Sequence, residues 1–378
     1  MRVLFTSVQV FGHLYPMLPL ARALRERGDD VAFVGPPSVG QMLTGEDVEI
    51  LAAGIEVPDM LAELVSRTGR DPFAGPISVE DEAEMFAGVR IDLSYDDTLA
   101  AARQWRPDLV VGDRYDYLGP LVAAALDVPF GHVTVGQEIK PEQDVALRAV
   151  ITRRSQARSL TPRRPVFVAD ICPSALQVDD WQKPEGWLPI RPEAHRVPGG
   201  PVLSASTRVE GARPRVLLTF GTLFGDPQIL GPLVNEVAAL DVDLRVTVGP
   251  MASAEDFDVD HDRVRLEPFR PMSELLSDID VVVCHAGAGT TYAALSAGIP
   301  LVVLPQNADQ FAVAARAVAA GAALRLLPEE ATPDRIRQAV TTVLSEPGYR
   351  DSAAKVAAQI ADMPAAADVA ESIAMILN

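Results

Sequence analysis

The sequence predicts an α/β protein built from two doubly wound domains that face each other across a cleft. Three observations carry this. Short apolar runs without polar alternation recur along the chain, separated by helix-like stretches, which is the pattern of parallel strands buried on both faces. The series stops at a stretch rich in Pro, Gly and Arg, and then restarts. The chain has 378 residues, more than one hydrophobic core usually supports. The expected domains are 1–195 and 214–364, joined by a linker at 196–213, with a terminal helix within 365–378.

The first series opens with "RVLFTS", a buried strand, and "PMLPLARALRERG", a helix beginning near Pro16 and stopped at Gly28. "DVAFVG" and "VEILAAG" read as the next strands. An acidic, helix-prone region of weak periodicity follows, and its 55–100 portion is where a substrate loop is expected. "LAAARQWRPDLVVGD" reads as helix, turn and strand, "YLGPLVAAALDVP" as a helix, and "FGHVTVG" and "VFVADICPS" as strands. The break at "PIRPEAHRVPGGPVLSASTRVEGARPR" lacks periodicity and reads as a linker. The second series runs through "RVLLTFGT", "LRVTVG", "VRLEPF", "IDVVVCHAG", "LVVLPQ" and "AALRLLP", with helices between them and at the end. Pro364 then breaks the pattern before "DVAESIAMIL".

Composition narrows the function classes. Apolar residues make up 48% and charged residues 22%, which is ordinary for globular chains. The net charge of −19 opposes a nucleic-acid partner, which needs a cationic face. The Arg-rich tract at 148–164 is the local exception and reads first as a solvated helix and loop, with a small anion subsite as the alternative. Two cysteines, Cys172 and Cys284, sit in apolar runs, too few for a disulfide framework and without zinc-ligand spacing. The N-terminal apolar run is too short for a signal peptide, and no window reaches membrane-spanning length. A soluble, cytoplasmic protein is expected.

The chemistry is expected at strand ends, where open α/β sheets bind ligands. "VVVC" delivers His285 to a small-residue turn, "AGAGTT", that opens a helix. The N–H groups of a helix N-terminus favour a phosphate, and His285 adds a hydrogen bond or charge, with Thr290 and Thr291 adding hydroxyls. Taken alone, such a turn also exists for close packing. "LVVLPQNADQ" ends on Asp309 and Gln310, acceptors suited to sugar hydroxyls or, in the plainer reading, a helix cap. "TFGT" supplies Gly221 and Thr222. In the first series His13 follows "RVLFTS" and Asp113 closes "LVVGD". A carboxylate on one imidazole nitrogen frees the other as a base, and Asp116 competes for that role. No nucleophile motif accompanies them.

These residues resemble those of glycosyltransferases of the GT-B type, with two Rossmann-like domains, in the actinobacterial branch that attaches deoxysugars to antibiotics and other natural products. The resemblance is carried by "GHLYP" (12–16), "PDLVVGD" (107–113), "FGT" (220–222) and the block from "EPFRPMSELL" to "ADQ" (267–310). It implies inverting transfer from an NDP-sugar, TDP-linked in preference, to a hydroxyl of a lipophilic aglycone. It implies His13 as general base and Asp113 as its orienting acid. Thr222, His285, Gly287, Gly289 and Thr290 would hold the diphosphate, Phe269 and the backbone of Arg270 the nucleobase, and Asp309 and Gln310 the sugar. Phe11, Phe73, Met85, Phe86, Tyr115 and Tyr117 would line the acceptor pocket. The terminal segment would pack back on the first domain.

One departure matters. Plant members carry a glutamate for the ribose hydroxyls, and Ala293 stands at that position here, which agrees with a deoxyribose donor. No metal is expected: "VDD" at 178–180 reads as a turn and no convincing DxD pair exists. No cofactor is expected beyond the nucleotide sugar as co-substrate. The partners are that sugar and the aglycone, with no nucleic acid and no integral membrane, and a homodimer is permitted. The rival readings are an NDP-sugar epimerase on the same fold and a non-catalytic activator of a glycosyltransferase.

Overall fold

The computed structural model describes residues 1–72, 77–137, 139, 141–203, 211–221, 227–248, 259 and 263–377. The chain divides into two compact units, one of Met1–Ile171, Asp180–Ile190 and Pro364–Asn378, the other of Cys172–Asp179 and Arg191–Met363.

The first unit holds β1 (Arg2–Thr6), β2 (Asp30–Gly35), β3 (Glu49–Ala52), β4 (Leu109–Asp113), β5 (Phe130–Val133), β6 (Pro165–Asp170) and β7 (Trp187–Pro189) in one sheet. Their order is β3-β2-β1-β4-β5-β6-β7, and every pairing is parallel. The order reverses between β1 and β4, where Thr6 pairs with Gly112. Loops leaving β1 and β4 therefore diverge at a switch point, which opens a crevice beyond the strand ends. Val3, Leu4, Phe5 and Val110 are wholly buried, as central strands covered on both faces require.

Helices 18–26, 90–105 and 119–126 bury Leu20, Leu24, Ile91, Ala102 and Leu121. The terminal helix Ala366–Leu377 belongs to the same unit. It packs on helix 18–26 and β6, burying Val369, Ala370 and Ile373, while Arg27 Nη1 donates to the Ala370 carbonyl at 2.6 Å.

Two elements differ from expectation. The 55–100 stretch, expected as a substrate loop, folds as helices 57–68, 79–83 and 90–105 in its described parts, with a π-helical turn at Glu84–Val89. The helix expected near Pro16 is preceded by a short helical turn, Phe11–Leu14, that holds His13.

The second unit holds β8 (Arg215–Thr219), β9 (Asp243–Thr247), β10 (Val264–Glu267), β11 (Val281–Cys284), β12 (Leu301–Val303) and β13 (Ala323–Arg325). Their order is β10-β9-β8-β11-β12-β13, again parallel throughout. Its switch point lies between β8 and β11, where Thr219 pairs with Cys284. The core joins Val216, Leu218, Val246, Val283 and Val302 to Ile336 and Val340 of helix 333–345. Both cysteines are buried thiols outside any disulfide, and burial pushes the Cys284 thiol up to about 12, so it is inert as a nucleophile.

Candidate functional site

At the switch point of the first unit, His13 and Asp113 meet. The His13 Nδ1 stands 3.0 Å from Asp113 Oδ1. Asp113 is fully buried and His13 is 17% exposed. Backbone N–H groups complete the carboxylate's shell: Val8 N–H donates to Oδ2 at 2.8 Å and Tyr115 N–H to Oδ1 at 2.8 Å. Burial alone would raise the Asp113 pKa. The His13 charge and hydrogen bond, with the two N–H donors, outweigh it and hold the group below the usual carboxylate range. An ionised carboxylate only accepts, so in the neutral imidazole the proton sits on Nδ1 and Nε2 carries the lone pair. Asp116, the competing carboxylate, is committed elsewhere: Arg90 Nε donates to its Oδ1 at 2.7 Å.

Of the residues expected to line an acceptor pocket, Phe86 and Tyr115 flank His13. Their rings lie 6.1 and 5.6 Å from the imidazole and 5.4 Å from each other. Phe11 lies tilted against Tyr15, with ring centroids 5.0 Å apart. Met85 packs into a satellite core with Met60, Leu64 and Val89. Tyr117 is buried in the main core, where burial raises its phenol pKa to about 12. Phe73 lies outside the described residues.

At the switch point of the second unit, His285 leaves β11. Its ring is wedged between two glycines: a Cβ on Gly221 would come within 2.9 Å of His285 Cε1, and one on Gly287 within 2.6 Å of Nε2. Gly221 also needs its φ of +69°, which L side chains avoid. Burial lowers the imidazole to about 4, against a backbone hydrogen bond at Thr219. His285 is therefore neutral at pH 7, where the sequence left a charge open, and its one N–H is engaged by the Thr219 backbone. Ala286 follows in the left-handed region at φ 66°, a strained conformation of the kind that collects at ligand sites.

Helix 288–296 begins at Gly287, and its first bond runs from Thr291 N–H to the Gly287 carbonyl. The N–H groups of Ala288, Gly289 and Thr290 are left without intrahelical acceptors. Gly289 is exposed and Thr290 half-buried, whereas Thr291 is fully buried. Thr222 lies outside the described residues.

Asp309 is exposed at the N-cap of helix 310–319 without making a capping bond from its side chain. Gln310 is buried, and its Oε1 accepts from the N–H groups of Gln306 and Asn307 at 2.8 and 3.1 Å. That oxygen shapes the turn on which Asp309 is displayed. Phe269, just past β10, is 45% exposed. The neighbouring Arg270 side chain pairs with Glu267 and Glu274 at 3.2 and 2.8 Å, leaving its backbone as the polar edge.

Two further features are plain. The Arg-rich tract is held by carboxylates: Arg148 pairs with Asp144, and Arg154 with Asp92 and Glu84. In "VDD", Asp179 pairs with Arg316 at 2.8 Å. Among the described residues, no group of three or more His, Cys, Asp and Glu side chains is placed to hold a metal ion, and no helix is long and apolar enough to cross a membrane.

His285 in the second unit and His132 on β5 make stability acid-sensitive. Burial, then the Arg114 charge, holds His132 down to about 3. Each is neutral when folded and titrates near 6.5 when unfolded, so the unfolded state binds more protons between those values. Stability is full above about pH 6.5 and falls as pH drops toward 4. Denaturant melts at pH 7 and 5 should differ by ~1–2 kcal/mol per histidine. His285→Asn should flatten the difference for the second unit, and an unchanged slope would refute the assignment.

Comparison with known proteins matches residues 23–221 to the Erythromycin biosynthesis protein CIII-like N-terminal domain and residues 232–376 to its C-terminal domain. The chain is 32% identical to the elloramycin glycosyltransferase ElmGT of Streptomyces olivaceus, over 98% of this chain and 96% of that one. It is similar to the spinosyn rhamnosyltransferase SpnG solved with thymidine diphosphate (25% identity, TM-score 0.81, 99% and 100% coverage). It is also similar to the glycosyltransferase SsfS6 of Streptomyces sp. SF2575 solved with the same nucleotide (26% identity, TM-score 0.81, 99% and 99% coverage).

Proposed function

The chain belongs to the Erythromycin biosynthesis protein CIII-like family, natural-product glycosyltransferases of the GT-B fold that transfer a sugar to an aglycone, and from this premise we propose an inverting, TDP-sugar-dependent transfer to an aglycone hydroxyl with His13 as general base. The observation that carries the reading is the buried Asp113 carboxylate 3.0 Å from His13 Nδ1 at the switch point of the first sheet.

The chemistry follows from the proton inventory. Asp113 keeps Nδ1 protonated and stabilises the imidazolium that forms. His13 Nε2 accepts the acceptor's hydroxyl proton as its oxygen attacks the anomeric carbon. The bond to the departing diphosphate breaks on the opposite face, so the anomeric configuration inverts. Positioned base catalysis of this kind contributes ~10²–10⁴-fold. Charge growing on the leaving phosphate is met by the N–H groups of Ala288, Gly289 and Thr290, donors already oriented before the reaction, on a turn shaped by the neutral His285. Phe86 and Tyr115 give the acceptor an apolar, aromatic surface beside the base. Asp309 takes the sugar hydroxyls, on a turn fixed by Gln310. Water at the base would compete with the acceptor and hydrolyse the donor, so a lipophilic acceptor that displaces it protects the sugar.

The nucleoside preference rests on Ala293, which is buried in helix 288–296 and offers no acceptor to a ribose. The two relatives solved with thymidine diphosphate support the same choice. Titration of the protein with TDP and UDP should show tighter binding of TDP, and supplying candidate aglycones with a TDP-sugar should yield a glycoside of inverted configuration. A clear preference for UDP, or a retained configuration, would reject the reading.

A further inference from the structure

Arg90 is the largest fully buried side chain among the described residues, 2% exposed. Its Nε donates to Asp116 Oδ1 at 2.7 Å, and its Nη2 donates to the Ser7 carbonyl at 2.7 Å. Asp116 is itself 1% exposed. Buried pairs of this kind are seldom worth more than an apolar pair of the same volume, so stability alone is a poor reason for one here.

Its two anchor points suggest another reason. Ser7 immediately precedes Val8, whose N–H holds Asp113 Oδ2. Asp116 immediately follows Tyr115, whose N–H holds Asp113 Oδ1, and the Asp116 N–H bonds back to the Asp113 carbonyl at 3.0 Å. The guanidinium thus ties together the loops leaving β1 and β4, one residue from each donor that fixes the carboxylate. The first of those loops also carries His13. Arg90 also neutralises the second carboxylate of the turn, so Asp113 is left as the anion that pairs with the imidazole. The π-helical turn Glu84–Val89 ends directly before Arg90 and carries Phe86 to the His13 ring. Such turns often mark functional sites, because the extra residue rotates the next stretch of helix about its axis.

We propose that Arg90, bridging Asp116 and the Ser7 carbonyl, is a positioning residue that sets the geometry of the His13–Asp113 pair. The inference rests on the reading of His13 as the base. A guanidinium reaches both acceptors from one plane, and a shift of about 1 Å in a reacting group can cost up to ~10²-fold in rate.

The test is the charge-neutral double substitution Arg90→Met with Asp116→Leu, made in the full chain and checked for folding by its thermal melt. The expected result is a folded enzyme whose kcat falls about 10- to 100-fold while the KM for the TDP-sugar stays within about twofold. In a His13→Ala background the same double substitution should cause no further loss, because both act through one unit. If the double variant does not fold, Arg90→Lys takes its place. It keeps the charge but cannot bridge both acceptors, and should show the same split. Unchanged kcat in the folded variant, or an equal loss when His13 is already alanine, overturns the proposal. A His13→Ala enzyme with wild-type turnover overturns the base assignment and this inference with it. A crippled His13→Ala enzyme beside an unimpaired Arg90 variant overturns this inference alone.

Discussion

His13→Ala is expected to lower kcat by ~10²–10⁴-fold and to leave TDP affinity unchanged. The imidazole is the group that takes the acceptor proton in the proposed reaction, and a hydroxyl is a poor nucleophile without that help. The nucleotide site is assigned to residues of the second unit, among them His285 and the turn 286–290, so binding should not register the loss. The fold should also survive. Asp113 keeps its two backbone donors from Val8 and Tyr115, and His13 is only part of a short surface turn. Calorimetric titration with TDP, set beside product formation under saturating donor and acceptor, separates the two effects. Turnover within tenfold of the wild type would mean that the base lies elsewhere.

Asp113→Asn should be nearly as damaging, and for a different reason. The carboxylate accepts three hydrogen bonds, from Val8 N–H, Tyr115 N–H and His13 Nδ1. An amide has one acceptor atom and one donor atom. Whichever way it is placed, its NH₂ faces a backbone N–H inside a buried pocket, leaving donors unpaired at ~1–3 kcal/mol. With the NH₂ toward His13, the imidazole must turn its lone pair to Nδ1 and carry its proton on Nε2, which is the wrong tautomer for a base. With the oxygen toward His13 the tautomer survives, but the negative charge that stabilises the imidazolium is gone. Either arrangement predicts a loss of about 10²–10⁴-fold in kcat and a lower melting temperature. Near-normal turnover would remove Asp113 from the mechanism.

Much of this arrangement is visible in the sequence because the strands that build it are apolar along their whole length. β1, β2, β4, β11 and β12 stand out as uninterrupted runs, and the residues just beyond or at their ends, His13, Asp113, His285 and Asp309, are placed by the strand ends. Where the signal fails, the reason is physical. β7 spans three residues, Trp187–Pro189, inside a Pro-rich tract, too short for any period to show. Helix 57–68 buries only Met60 and Leu64, so its apolar stripe is thin and the region resembles a loop. Arg90 is hidden for the opposite reason. It lies on the stripe formed by Ala87, Ile91, Ser94 and Tyr95, where a charged residue reads as surface unless a buried partner is known. The signal was the arginine at a core position, and only the fold supplies Asp116 opposite it. The burial of Gln310 and the committed Asp116 likewise depend on turns that a linear pattern does not define.

The terminal helix has a consequence for how the protein is made. The half that carries His13 is synthesised before the other unit, yet the apolar flank of helix 18–26 and β6 in that half waits for Val369, Ala370 and Ile373, which come after the second unit in the chain. The half begun first is therefore among the last to be sealed, and its bare flank stays exposed through the whole elongation of the other half, an interval in which sticky surfaces recruit chaperones. By the same logic, a premature stop ahead of Ala366 injures the unit that was synthesised before the other.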